Sequence, residues 1–174
     1  MSNQFYINVI VFIVAIGGIL FGFDTGIIAG SLPFIIKTYN PSLFETEFIV
    51  SVLVLGAFLG SLSSGKLVNY FGRRKLLLYL SLMFIFGTIF CVFANSVLFI
   101  IVGRFILGLT IGATSYTVPL YISEISTSEK RGSFVIINSL FLTAAQAFSF
   151  IVAYFISNIT HPSFLYRTRY YASR

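Results

Sequence analysis

Long apolar runs alternate with short polar breaks along this chain. A helix that crosses a bilayer needs about 20 mainly apolar residues. Five runs reach that length, roughly 8–35, 48–68, 76–94, 97–122 and 134–157. The pattern predicts five membrane helices and an all-α membrane protein. The breaks are short. Tyr39-Asn40-Pro41-Ser42 is a turn with Glu45 and Glu47 after it, Asn95-Ser96 is a tight polar break, and residues 126–132 form a polar loop. The first run is too long for a cleaved leader, lacks a basic segment before it and contains Asp24, so it reads as a retained span.

Composition sharpens this reading. The chain has 174 residues, 57% hydrophobic and 9% charged, whereas a soluble domain carries roughly 25% charged residues. Lipid must therefore be its solvent, and an integral, multi-pass protein of a plasma or inner membrane is expected. The net charge of +6 does not indicate nucleic acid, because the charges lie in short clusters between apolar runs and not along one face. The single cysteine, Cys91, allows no disulfide framework. Lys66, Arg73, Arg74 and Lys75 place the second loop, and with it the N-terminus, in the cytoplasm. Lys130 and Arg131 agree. The tail from Asn158 does not: Arg167, Arg169 and Arg174 make it basic on the side expected to lie outside. Residues 1–157 are read as five spans of an incomplete transporter half. Residues 158–174 are read as a truncation or frame-shift scar, the alternative being a basic tail on a native five-span protein.

Glycines recur every four residues at Gly18, Gly22, Gly26 and Gly30 on the first helix. Gly56, Gly60 and Ser64 repeat the spacing on the second, and Gly108 and Gly112 on the fourth. Such ridges permit either tight static packing or helices that tilt past one another. Asp24 lies about 200° round the helix from Gly22 and Gly26, on a face with Phe21 and Ile28. Arg104 is the other ion inside a span. With exits near Ser31 and Val97, both lie roughly 10 Å deep, which allows them to pair; the alternative for Arg104 is snorkelling to the interface. The guanidinium favours a charged Asp24 and desolvation favours a protonated one. A movement that separates the two thus favours proton uptake. In the loop from Gly65 to Lys75, the basic residues either anchor topology or form a latch, with Arg73 or Arg74 bonding Glu124 or helix ends.

Three segments together resemble the sugar porter family of the major facilitator superfamily. The first runs from Gly17 through Asp24 to Gly30-Ser31-Leu32-Pro33-Phe34. The second is the loop from Gly65 to Arg74. The third, highly specific, runs from Gly103-Arg104 through Gly108, Gly112 and Pro119-Leu120-Tyr121-Ile122-Ser123-Glu124 to Arg131-Gly132. The resemblance covers about residues 8–157. It implies the N-terminal half of a major facilitator-type bundle, with substrate held between two halves near the midplane. It implies a proton-coupling pair at Asp24 and Arg104, and a cytoplasmic charge network over Gly65, Gly72, Arg73, Arg74, Glu124 and Arg131. Substrate-facing candidates are Phe21, Thr25, Asn138, Ser139 and Gln146. Ser139 stands where a sugar-binding Gln is usual, Ala145 where Gly is usual, and Asn69 and Tyr70 where an acid and a base are usual. The family's sixth span and second half have no counterpart here, so a complete sugar site is expected only if a C-terminal half is supplied.

The expected function is transport of a monosaccharide or polyol, by sugar/proton symport, as the N-terminal fragment of a sugar porter. The alternative is a non-transporting remnant or sensor-like membrane protein on the same scaffold. The segment from Pro119 to Glu124 disfavours a drug or organic-ion exporter. No nucleophile–base or metal-ligand cluster suggests an enzyme, and His161 stands alone. The expected partners are the lipid bilayer and the sugar, with no nucleic acid and no cofactor beyond a coupling proton.

Overall fold

A computed structural model describes residues 2–125 and 131–160, with side-chain detail for residues 18–19, 21–124 and 132–155. Five helices follow one another: α1 (Ser2–Tyr39), α2 (Leu43–Phe71), α3 (Arg73–Val92), α4 (Val97–Ile125) and α5 (Arg131–Thr160). Among the described residues, α2 to α5 are long and apolar enough to cross a bilayer. Most helices outrun the apolar stretches that announced them. Their ends carry Lys37, Tyr39, Glu45, Asn69 and Tyr70, which are helical but polar enough to lie beyond the hydrocarbon. The expected tail, with His161, Arg167, Arg169 and Arg174, lies outside the described residues apart from the last turn of α5, of which only the backbone is described.

The turns have local causes. Asn40 closes α1 with φ of 44°, a left-handed conformation that asparagine tolerates. Ser42 then caps α2. Its hydroxyl accepts from the Glu45 N–H at 3.2 Å, and the Glu45 carboxylate accepts from the Ser42 N–H at 2.8 Å, a reciprocal capping box. Gly72 ends α2 and starts α3 in one residue, with φ 76° and ψ 156°, a region open essentially to glycine. Pro33 in α1 and Pro119 in α4 lie inside their helices, leaving the carbonyls of Ala29 and Ser115 without the usual helical partner.

The helices pack in two groups. α4 lies against α2 and α3, α1 lies against α5, and the groups meet more sparingly where α4 touches α1 and α5. Between α2 and α4 the glycines are reciprocal. A Cβ on Gly108 would strike the Leu53 carbonyl and one on Gly112 the Ala57 carbonyl. One on Gly60 would strike the Leu109 carbonyl, and one on Gly56 would come within 2.6 Å of the Phe105 oxygen. Between α1 and α5, Gly18 faces Asn138, Gly22 the Leu142 carbonyl, Gly26 Ser149 and Gly30 Ala153. Missing side chains thus bring backbone against backbone, the contact that holds helices together where lipid removes the hydrophobic drive. Large apolar side chains face outward instead, as Val54, Phe58 and Leu62 on α2 show, each more than 60% exposed. A water-facing fold could not carry that surface.

Candidate functional site

Asp24 of α1 and Arg104 of α4 meet across the junction of the two helix groups. Arg104 Nη1 donates to Asp24 Oδ2 at 3.3 Å, with side chains 6% and 17% exposed respectively. Arg104 Nε is buried and has no hydrogen-bond partner among the described residues. The pair is therefore a single contact in a nearly dry setting, with one donor unspent. Low polarity strengthens the attraction, and desolvation of both ions opposes it.

α1 continues eight residues past Ser31, to Tyr39, with Pro33 between Asp24 and the helix end. Asp24 does point away from the glycine ridge, which faces α5, and toward α4. Beside the pair, Phe21 meets Phe84 of α3 edge-on at 5.4 Å between centroids. Gly103, next to Arg104, lets α4 approach the Cys91 sulfur and the Gly87 carbonyl of α3.

The remaining substrate candidates are dispersed. The Thr25 hydroxyl is exposed and donates to the Phe21 carbonyl at 3.1 Å, and that of Ser139 is exposed and donates to the Val135 carbonyl at 3.1 Å. Gln146 is half-buried on the side of α5 whose backbone faces Gly22 and Gly26. Asn138 is turned into the α1–α5 seam. Its side-chain oxygen lies 3.1 Å from where a Gly18 Cβ would be, buried and without a hydrogen-bond partner among the described residues.

A second ion pair lies at the other end of α4. Arg73 donates from Nε to Glu124 Oε1 at 3.0 Å, and Nη2 lies 2.7 Å from the same oxygen. Of the two arginines allowed by the sequence, Arg73 makes the contact; Arg74 is exposed and makes no ion pair among the described residues. Gly65 and Gly72 border open space. Arg131 begins α5, but its side chain lies outside the described residues. Two contacts had no forerunner in the sequence. Ser149 of α5 donates to the Phe23 carbonyl of α1 at 2.8 Å, and Tyr39 donates to the Ala94 carbonyl at 2.6 Å. A lone hydroxyl carries no spacing pattern that would mark either.

Comparison with known proteins adds to this geometry. The family described as "Sugar (and other) transporter" matches residues 10–171. The chain is 37% identical to the major myo-inositol transporter of Bacillus subtilis over 153 residues, 86% of this chain and 32% of that protein. It is 39% identical to the galactose-proton symporter of Escherichia coli over 142 residues, 82% of this chain and 31% of that protein. A solved structure of a proton:xylose symporter bound to 6-bromo-6-deoxy-D-glucose superposes with a TM-score of 0.81 at 26% identity, over 90% of this chain and 38% of that one. The chain spans about a third of the length of the curated relatives it matches.

Proposed function

Because the chain belongs to the sugar transporter family of the major facilitator superfamily, a family of transporters and not of enzymes, we propose that it supplies the proton-coupling part of a sugar/proton symporter. The observation that carries this is the buried contact between Asp24 and Arg104, 3.3 Å apart across two helix groups. A carboxylate in a membrane interior is costly unless paired or neutralised. Protonation from one side of the membrane would release Arg104 and let α1 and α5 move relative to α2, α3 and α4. Deprotonation toward the other side would restore the pair. The cargo is a monosaccharide or polyol, a reading supported by the galactose and myo-inositol relatives. Thr25, Ser139, Gln146 and Asn138 are the polar groups this segment offers it. The α2–α3 junction and the N-terminus face the cytoplasm. There the Arg73–Glu124 pair, with Gly65, Gly72, Arg74 and Arg131, steadies one of the two access states.

The test replaces the matching segment of the galactose-proton symporter with this chain. In proteoliposomes the chimera is expected to concentrate labelled galactose when a pH gradient is imposed. Its Asp24→Asn form should exchange galactose across the membrane yet fail to concentrate it. Exchange in both forms shows that the bundle is assembled. Gradient-driven accumulation that survives in the Asn form would end the coupling role of Asp24.

A further inference from the structure

We propose that the basic and aromatic surface at the α2–α3 junction holds the headgroup of an anionic phospholipid. The junction joins two spanning helices, so it lies at the membrane boundary. Lys66, Arg73, Arg74 and Lys75 converge on it within ten residues of sequence. Glu124 engages Arg73. Lys66, Arg74 and Lys75 are exposed and make no ion pair among the described residues.

Three consecutive cations occupy the start of α3, where the helix dipole is positive and acids are favoured. No acid stands in that turn, and Gly72 offers no side-chain cap. The start of α2 is the reverse, with Ser42 and Glu45 in place. Left alone, the α3 arrangement is self-repelling; an anion beside it relieves the repulsion.

The aromatic rings specify what carries the anion. Tyr70, 83% exposed, meets Phe71 edge-on at 4.8 Å, and Phe71 meets Tyr79 at 5.4 Å. Half-polar rings of this kind sit at the headgroup level of a bilayer. From Arg74, one face of α3 continues through Leu78, Leu82 and Ile85 at helical spacing, each more than half exposed. Exposed cations, half-polar rings and an exposed apolar stripe thus lie at one junction, the three kinds of contact that suit phosphate, glycerol and acyl chain. A soluble phosphate would satisfy the cations and leave the rings and the stripe uncovered.

The test uses the purified chain in nanodiscs of phosphatidylcholine with a minority of phosphatidylglycerol, released into a native mass spectrometer. Phosphatidylglycerol is expected to stay bound in preference to phosphatidylcholine. Raising salt should weaken its retention without changing that of phosphatidylcholine. Retention should fall about fivefold for each of Lys66→Gln, Arg74→Gln and Lys75→Gln, and remain unchanged in Lys37→Gln at the opposite end. Excess glycerol 3-phosphate should leave the lipid in place. Equal retention of both lipids, insensitivity to salt, undiminished retention in the triple variant that combines Lys66→Gln, Arg74→Gln and Lys75→Gln, or displacement by glycerol 3-phosphate would each overturn the proposal. The salt titration needs no variant, so it decides the matter even if the triple variant loses its helicity.

Discussion

Breaking the Asp24–Arg104 pair from each side gives unequal results. Removing one partner of a buried ion pair costs about 3–5 kcal/mol. With Arg104 only 6% exposed, Asp24→Asn strands a guanidinium that cannot lose its proton, and that range applies at any ordinary pH. Arg104→Gln strands a carboxylate, which can escape by holding a proton. Arg104→Gln should therefore cost less than Asp24→Asn. The double variant leaves two neutral amides and should cost about 2–3 kcal/mol less than the sum of the singles. Detergent-micelle unfolding followed by helical circular dichroism measures all three. Additivity within about 0.5 kcal/mol would show that the two charges do not depend on each other.

Three further outcomes are expected. Gly72→Ala forces a Cβ into a backbone conformation of φ 76° and ψ 156° and should destabilise by about 1–3 kcal/mol, whereas Gly65→Ala, with open space around it, should gain up to about 1 kcal/mol from helix propensity; the same unfolding assay compares them. Gly22→Ala drives a Cβ into the Leu142 carbonyl and to 2.9 Å from the Gln146 nitrogen. It should cost about 1–3 kcal/mol and lower cross-linking yield between cysteine pairs on α1 and α5. With the orientation proposed above and Cys91→Ser as background, an impermeant maleimide should label Asn40→Cys but not Lys75→Cys in intact cells; the reverse pattern would invert the topology.

The number of helices was legible because charges, Pro41 and Asn95-Ser96 interrupt runs that are otherwise apolar. Their ends were not, because a helix continues through polar residues such as Lys37 and Asn69 once outside the hydrocarbon. The glycine spacing announced close seams but not their partners. Nothing in the spacing says that Gly18 faces Asn138 while Gly108 faces Leu53. Asp24 and Arg104 could be paired from sequence because two costly ions inside spans are explained at once by a single contact. Arg73 and Arg74 were indistinguishable as strings; adjacent positions on a helix lie about 100° apart, and only one faces Glu124. The contact of Asn138 with Gly18 was equally hidden, because its neighbours in sequence say nothing of its direction.

The pairing of α1 with late helices has a consequence for synthesis. Asp24 and Arg104 are 80 residues apart, and the α5 residues that fill the α1 ridge come later still. At about 5–20 residues per second, the ribosome needs about 4–16 s to deliver the arginine after the aspartate. Throughout that interval α1 presents a carboxyl group and a bare glycine groove to the insertion machinery, with neither partner yet made. Its entry into lipid depends on a proton borrowed from water or on shelter in the translocation channel. A variant that speeds elongation between the two residues shortens this exposure, and one that stalls it there lengthens the period in which the nascent helix can slip back or be degraded.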